Sequence, residues 1–231
     1  MNFQEITRYE RKLYNDGIKY VAGIDEVGRG PLAGPFVVSA VILDLDKIFS
    51  NELELMINDE KLKKNPPKKL LYTKINDSKQ VSPKNREILA KFIRKEAISY
   101  SIELLPPENL DEIGISQATQ LCFFNAIKNL TTIPEVILTD TFEVKKLIKD
   151  CQINITKGDT KSISIAAASI VAKVYRDRIM VEMHEKYPLY GFDRHKGYGT
   201  KYHIDALYKY GPCEIHRKSF SPVKEIISKS L

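Results

Sequence analysis

Hydrophobic and polar positions follow two periods along the chain, one typical of strands and one typical of helices. Strands are predicted for four apolar or alternating runs and for one weaker run, at 21–24, 36–43, 98–105, 135–138 and 152–155. Helices are predicted between them, over 85–97, 115–129 and 162–184, with a polar helix between Asp140 and residue 152. Strands that alternate with helices indicate the α/β class.

One segment interrupts this pattern. Residues 44–60 hold six acidic residues and one lysine, and residues 61–79 hold seven lysines and one acid. Such a segment, which we call the insertion, is predicted to be a solvated, partly mobile surface loop. A dedicated nucleic-acid arm is the alternative.

Composition limits the class of protein. A chain of 231 residues that is 43% hydrophobic and 29% charged can bury a core without disulfides, which excludes a disulfide-rich miniprotein, a collagen and a disordered chain. Cys122, Cys151 and Cys213 are odd in number and lack metal-type spacing, so reduced thiols in the cytoplasm are expected. No apolar run of about 18 residues occurs, and residues 1–19 are charged, so neither a membrane span nor a secretory signal is predicted.

The net charge favours an anionic partner. The chain carries 36 Lys and Arg against 30 Asp and Glu, a formal charge of +6. Nucleic acid is the obvious candidate, although a mildly basic protein of another class would have the same balance.

Acidic residues stand at the predicted ends of two strands. Asp25 and Glu26 follow the run 21–24, and Asp140 follows the run 135–138. Adjacent buried carboxylates are costly unless a cation compensates them, and Mg²⁺ or Mn²⁺ prefers oxygen ligands. The three residues are therefore candidate metal ligands, with a turn-capping role as the alternative for Asp25 and Glu26.

Two further aspartates lie near or within the long predicted helix. Asp159 precedes the long predicted helix by three residues, where it is either a fourth ligand or a turn residue. Asp177 lies within that helix between Arg176 and Arg178, which predicts an ion-paired surface carboxylate.

Two loops contain residues that suit a phosphodiester. Gly28-Arg29-Gly30 offers unshielded backbone N–H groups and a guanidinium, although a tight turn explains the glycines equally well. Tyr198 lies between two glycines in the basic loop 195–200, where it could stack on a base or sugar or donate to a ribose 2′-hydroxyl. The four histidines lack zinc-type spacing, so packing or surface roles are expected for them.

The stretch 23–35, GIDEVGRGPLAGP, resembles the signature of the ribonuclease HII family. Further family motifs follow in the family's order, namely NDSK at 76–79, KGD at 157–159, SIAAASIVAK at 164–173, HKGYGT at 195–200 and IHRKSF at 215–220. The resemblance covers 21–223 except the part of the insertion near 44–75. Two departures are Thr141, where the family usually has glycine, and the length of the insertion.

The resemblance implies a fold and an activity. The fold would be a ribonuclease H-like mixed sheet flanked by helices, with a core at about 17–185 and a C-terminal helical segment at about 186–231 that grips substrate. The activity would be hydrolysis of RNA in RNA/DNA hybrids and incision 5′ of ribonucleotides in duplex DNA, with Mg²⁺ or Mn²⁺, in a cytoplasmic monomer formed by a single domain, 1–231.

The resemblance also assigns roles to residues. Asp25, Glu26, Asp140 and Asp159 match the four catalytic acids, the first three as metal ligands. Asp159 is preferred over Asp177 because it lies in the KGD motif. Substrate-binding roles are implied for Gly28, Arg29, Gly30 and Tyr198.

Overall fold

The computed structural model describes residues 2–59, 62, 67–147 and 149–229. Its central sheet consists of β1 (Val21–Val27), β2 (Phe36–Ile42), β3 (Ser99–Leu105), β4 (Val136–Asp140) and β5 (Gln152–Ile155). The order across the sheet is β3-β2-β1-β4-β5. β1 and β3 pair antiparallel with β2, whereas β4 pairs parallel with β1 and with β5. The mixed sheet and the α/β class are as predicted.

Helices surround this sheet on both faces. They are α1 (Phe3–Ile6), α2 (Arg8–Asn15), α3 (Leu45–Ile48), α4 (Asn51–Asn58), α5 (Pro83–Glu96), α6 (Pro107–Lys128), α7 (Ile163–Lys186), α8 (Phe192–His195), α9 (Lys201–Tyr210) and α10 (Val223–Lys229). α5 and α7 pack on one face and α6 packs on the other. Along β1, Val21 faces α7 and Ala22 faces α6, as the two-residue period of a strand requires.

α7 is the helix that lies nearest the centre of the fold. The Ser162 side chain caps it by accepting a hydrogen bond from the N–H of Ile165 at 3.2 Å. The alanines at 166–168 are fully buried, which lets the helix approach the sheet closely. The prediction of a helix over 162–184 is confirmed.

The predicted loop character of the insertion is wrong for most of the described residues there. α3, α4 and a 3₁₀ helix at Lys68–Lys74 occupy it, and Leu45, Leu53 and Tyr72 are almost completely buried in the core under α5 and α7. Apolar residues scattered among many charges provide this packing. Residues 60, 61 and 63–66 of the insertion lie outside the described residues.

The polar helix predicted after Asp140 is absent from the described residues 141–147. Turns and a 3₁₀ helix at Lys149–Cys151 connect β4 to β5 instead. Thr141 has a φ of 68°, a left-handed conformation that ends β4 abruptly and does not lead into a helix.

The two ends of the chain add helices to the core. α2 packs near α7, while α8, α9 and α10 form a separate apolar cluster with Leu32 and Met180. In the described part of the chain no helix is both long and apolar enough to cross a membrane.

Candidate active site

Strand pairing brings the predicted acids to one edge of the sheet. β1 and β4 run parallel, and Ile24 pairs with Thr139, so Asp25 and Asp140 are the next residues on neighbouring strands. Asp159 approaches from the 3₁₀ helix Gly158–Thr160, and the Gly158 N–H donates to Asp140 Oδ1 at 3.0 Å. The topology therefore brings together residues that are more than 130 positions apart.

All predicted site residues line one pocket of about 530 Å³. The four acids share it with the loop between β1 and β2, residues 28–35, which we call the glycine loop, and with one tyrosine from the C-terminal part. The lining includes Asp25, Glu26, Asp140, Asp159, Gly28, Arg29, Gly30 and Tyr198. No predicted site residue lies elsewhere.

Asp25 is held by Ser169, which is in turn held by Ser78, and neither serine was predicted as a site residue. Burial and the charge of Glu26 raise the pKa of the Asp25 carboxyl well above its usual range, while a hydrogen bond from the Ser169 hydroxyl opposes that rise. Ser169 Oγ also lies 3.0 Å from Ser78 Oγ, which fixes the Ser169 side chain on α7. Ser78 belongs to the NDSK stretch, which was the only sequence signal for it.

Burial also raises the pKa values of Glu26 and Asp159. The pKa of Glu26 is raised to about 7, chiefly by burial, against the lowering effect of Arg29. Burial raises the pKa of Asp159 as well, although Lys79 counteracts it with Nζ 3.5 Å from Asp159 Oδ2. Perturbed carboxyl groups in one cleft are typical of a functional site.

The donor set suits a hard divalent cation. Glu26 Oε2 is buried and has no hydrogen-bond partner within the described residues, and neighbouring carboxylates raise the pKa values of Asp25 and Glu26 by charge repulsion. A divalent cation would relieve both conditions, and carboxylate oxygens are its preferred ligands. Among the described residues no group of three or more His, Cys, Asp or Glu side chains is already positioned to hold a metal ion.

The glycine loop after β1 is shaped for close approach. Gly28 has a φ of 95°, and a Cβ at Gly30 would meet no atom within 4 Å. Arg29 donates from Nη1 to Thr119 Oγ1 at 3.1 Å and lies over the Phe142 ring at 4.6 Å. The guanidinium is therefore held at the rim of the pocket.

Tyr198 lines the pocket from a loop that packs beside the glycine loop, where the Leu32 N–H donates to Gly197 O at 2.8 Å. Its side chain is 42% exposed, and the Arg176 guanidinium carbon lies 5.8 Å from its ring centre. Lys173 lies 6.0 Å from the same ring and forms an ion pair with Asp177 at 2.8 Å. The ion pair of Asp177 is as predicted, but its partner is Lys173, one helical turn earlier, and the carboxylate is partly buried.

Comparison with known proteins identifies the family. The family model described as Ribonuclease HII matches residues 22–223. The chain is 46% identical over 227 residues to a ribonuclease HII of Caldicellulosiruptor bescii, which covers 98% of this chain and 96% of that relative.

Solved structures agree with this assignment. The ribonuclease H2 from Pyrococcus horikoshii superposes with a TM-score of 0.66 at 26% identity, covering 90% of this chain and 97% of that one. Bst-RNase HIII in complex with Mn²⁺ shares the fold, with a TM-score of 0.65 at 18% identity and coverages of 92% and 70%. The resemblance seen in the motifs is thus confirmed, and the chain belongs to the ribonuclease HII family.

Proposed function

We propose that Asp25, Glu26, Asp140 and Asp159 form the catalytic centre with which this member of the ribonuclease HII family hydrolyses RNA in RNA/DNA hybrids and incises 5′ of ribonucleotides in duplex DNA. The products are a 3′-hydroxyl and a 5′-phosphate. The observation that carries the proposal is the single pocket in which four acids face a glycine loop and an exposed tyrosine. The family supplies the reaction, and the pocket supplies the residues for it.

Asp25, Glu26 and Asp140 would hold divalent ions, Mg²⁺ or Mn²⁺, with Asp159 completing the acidic set. The Mn²⁺ complex of the related Bst-RNase HIII supports a divalent ion in this fold. Ions held by these carboxylates would supply an activated water and would stabilise the charge that develops on the scissile phosphate and the leaving 3′-oxygen. Without them four carboxylates would repel the nucleic-acid backbone, which is why the acids and the ions act together.

The remaining lining residues bind and orient the substrate. Backbone N–H groups of Gly28-Arg29-Gly30 and the Arg29 guanidinium hold the phosphate and ribose around the cut. The Tyr198 hydroxyl, in the same pocket, approaches the ribose 2′-hydroxyl that distinguishes RNA from DNA. The helical segment from about residue 186 extends the grip on the duplex, because it carries Tyr198.

In the cell we expect a cytoplasmic monomer that acts as a single catalytic domain. The matched family residues, 22–223, include both the sheet with its acids and the C-terminal helices with Tyr198. Both parts line the same pocket, so neither would be sufficient for catalysis by itself.

The test is incision of a labelled DNA duplex that contains one ribonucleotide, with an all-DNA duplex as control. Each is incubated with Mg²⁺, with Mn²⁺ and with chelator, using the wild type and Asp25→Asn. Metal-dependent incision 5′ of the ribonucleotide by the wild type, lost by more than about 100-fold in the variant, is expected, because even residues around metal ligands contribute 10–100-fold.

Two results would contradict the proposal. Binding without cutting under every condition would indicate a noncatalytic nucleic-acid-binding protein. Equal cutting of the all-DNA duplex would indicate a DNA-directed nuclease. In that case Tyr198→Phe would leave unchanged the ratio at which the ribonucleotide-containing and all-DNA duplexes are cut.

A further inference from the structure

Two buried arginines lie against the glycine loop, and neither lines the pocket. Arg176 belongs to α7 and Arg217 to the segment after α9, and both side chains are fully buried. In the described part of the chain neither forms an ion pair within 4 Å of a carboxylate. A buried guanidinium without an acid is costly, so its hydrogen bonds have to compensate for the lost hydration.

Backbone carbonyls of the loop are the partners of Arg217. Its Nη2 donates to the carbonyl oxygens of Gly28 at 2.6 Å and Gly34 at 2.9 Å. Its Nε donates to Gly34 O at 3.0 Å, and its Nη1 donates to Arg29 O at 3.2 Å. One side chain thus holds both ends of the loop.

The backbone around Arg217 fixes this side chain in place. The Arg217 N–H donates to Leu32 O at 2.8 Å, and the Gly34 N–H donates to Ile215 O at 2.9 Å. The segment around Arg217 therefore runs beside the loop as a short backbone pairing. The guanidinium cannot move away without breaking these bonds.

These contacts determine where the loop's N–H groups point. In a trans peptide the carbonyl of one residue and the N–H of the next point in opposite directions. Since the carbonyls of Gly28 and Arg29 point at Arg217, the N–H groups of Arg29 and Gly30 point away from it. Arg217 lies against the loop outside the pocket, which these same residues line.

Arg176 completes the arrangement from α7. It donates from Nε to Pro35 O at 2.9 Å, from Nη2 to Ala33 O at 3.0 Å and from Nη1 to Lys196 O at 2.9 Å. A Cβ on Gly28 would overlap the Arg176 side chain, so the loop is seated directly on it. The glycine loop is thereby joined to the loop that carries Tyr198.

We propose that Arg217 is a positioning residue, which turns the N–H groups of Arg29 and Gly30 towards the pocket and places beside them a positive charge that is bound by carbonyls and not by a carboxylate within 4 Å, so that the loop binds one substrate phosphate. The inference rests on the proposed function and extends it to a residue outside the pocket. A guanidinium suits this role because its planar fork reaches several carbonyls at once, whereas an ammonium is a point donor.

The test compares Arg217→Lys and Arg217→Met with Lys218→Met. Lys218 is the exposed neighbour, so its variant loses the same unit of charge without touching the loop. On a duplex with one ribonucleotide we expect kcat/KM to fall 10- to 100-fold for both Arg217 variants, as misplacement by about 1 Å in a site does. Lys218→Met should stay within about twofold of the wild type.

A phosphate scan separates positioning from general damage. Single phosphates near the ribonucleotide are replaced one at a time by uncharged methylphosphonate, and kcat/KM is measured for the wild type and Arg217→Lys. At the phosphate that binds the loop, methylphosphonate should reduce kcat/KM by a factor about 10-fold smaller in the variant than in the wild type. At every other position the reduction should be the same in the two proteins.

The outcomes keep the two proposals apart. A wild type that cuts no ribonucleotide duplex refutes the proposed function. If the wild type cuts and a folded Arg217→Lys has a kcat/KM within twofold of it, only the role of Arg217 is refuted. The same holds if methylphosphonate has the same effect on the variant as on the wild type at every position. If circular dichroism shows that neither Arg217 variant folds, the residue is purely structural and the inference is likewise overturned.

Discussion

Gly23 on β1 lies directly against the backbone of Ser164 on α7, so closely that a Cβ on Gly23 would overlap the Ser164 carbonyl group. The overlapped atoms are backbone, which cannot rotate away as a flexible side chain would. This contact sets the distance between the strand that carries Asp25 and the helix that carries Ser169. The geometry of the acids therefore depends on a residue outside the pocket.

We predict that Gly23→Ala destabilises the fold. The added methyl group forces β1 and α7 apart, and overpacking of this kind costs about 1–3 kcal/mol or more. The measurement is the free energy of unfolding in urea. Gly30→Ala is the matched control, because a Cβ there meets nothing within 4 Å, and it should keep wild-type stability. Equal stability of Gly23→Ala and wild type would contradict the close packing.

Much of the fold could be predicted from hydrophobic periodicity. β1, β2 and α7 are buried so completely that their apolar runs are unambiguous. The errors arose where tertiary contacts decide the structure. α3 and α4 hold only a few apolar residues each, and their burial depends on where α5 places its own apolar face. The segment after Asp140 has helical composition, but the backbone of Thr141 leads away from a helix.

The site could be predicted only in part, and for a physical reason. The acids stand at strand ends, a position that the sequence reveals, and the family motifs single out Asp159 among the other candidates. Ser169 and Arg217 lie in the motifs at 164–173 and 215–220, but the motifs do not indicate their roles, because a buried serine on a helix and an arginine in a loop are ordinary residues until the fold supplies their partners. Their partners are more than 90 positions away in the sequence.

Ser169 is expected to control how tightly the metal binds. Its hydroxyl stabilises the charged form of Asp25, so Ser169→Ala should raise the pKa of Asp25 further and weaken the ligand. Outer residues of this kind contribute about 10–100-fold to metal affinity. Titration of activity with Mn²⁺ should show a half-maximal concentration raised by that factor, with the maximal rate largely recovered at saturation. The control is Ser228→Ala, whose hydroxyl bonds within α10 at the far end of the chain.

Glu26 makes the metal-free protein less stable as the pH rises. Burial raises its pKa in the folded state to about 7, above the ordinary 4.5. The folded state thus holds the proton of Glu26 more firmly than the unfolded state does. The contribution of Glu26 to the free energy of unfolding is therefore greatest below about pH 4.5 and falls until the pH passes about 7. In chelator, Glu26→Gln should therefore melt at a higher temperature than the wild type at pH 8, and the difference should shrink towards pH 5.

Metal should reverse this loss. The ligands bind as carboxylates, so Mn²⁺ should stabilise the wild type more at pH 8 than at pH 5. At 100 times the Kd the gain is about 2.7 kcal/mol, or about 5–10 °C in Tm for a chain of this size. Glu26→Gln should lose most of that gain, whereas Glu182→Gln, on the exposed face of α7, should keep it. A Tm that does not respond to Mn²⁺ in the wild type would contradict the metal assignment.

Glu10 on α2 fastens the N-terminal helices to the start of α7. Its side chain is fully buried, accepts hydrogen bonds from the Ser162 hydroxyl and from the Ser164 N–H at 3.0 Å, and has a pKa raised by that burial. Glu10→Ala leaves both donors without an acceptor, and we expect a loss of about 1–3 kcal/mol in the free energy of unfolding at pH 5.

Glu10→Gln isolates the charge from the hydrogen bonds. The amide oxygen can still accept from Ser162 and Ser164, but the group no longer titrates. The raised pKa makes the wild type lose stability as the pH rises above the ordinary value of 4.5. The free energy of unfolding of Glu10→Gln should therefore increase relative to that of the wild type between pH 5 and pH 8. Urea unfolding at the two pH values measures this difference, with the exposed Glu54→Gln as the control that should show none. A difference that stays constant between pH 5 and pH 8 would show that Glu10 binds the same number of protons in the folded and the unfolded state, and would contradict a pKa raised by burial.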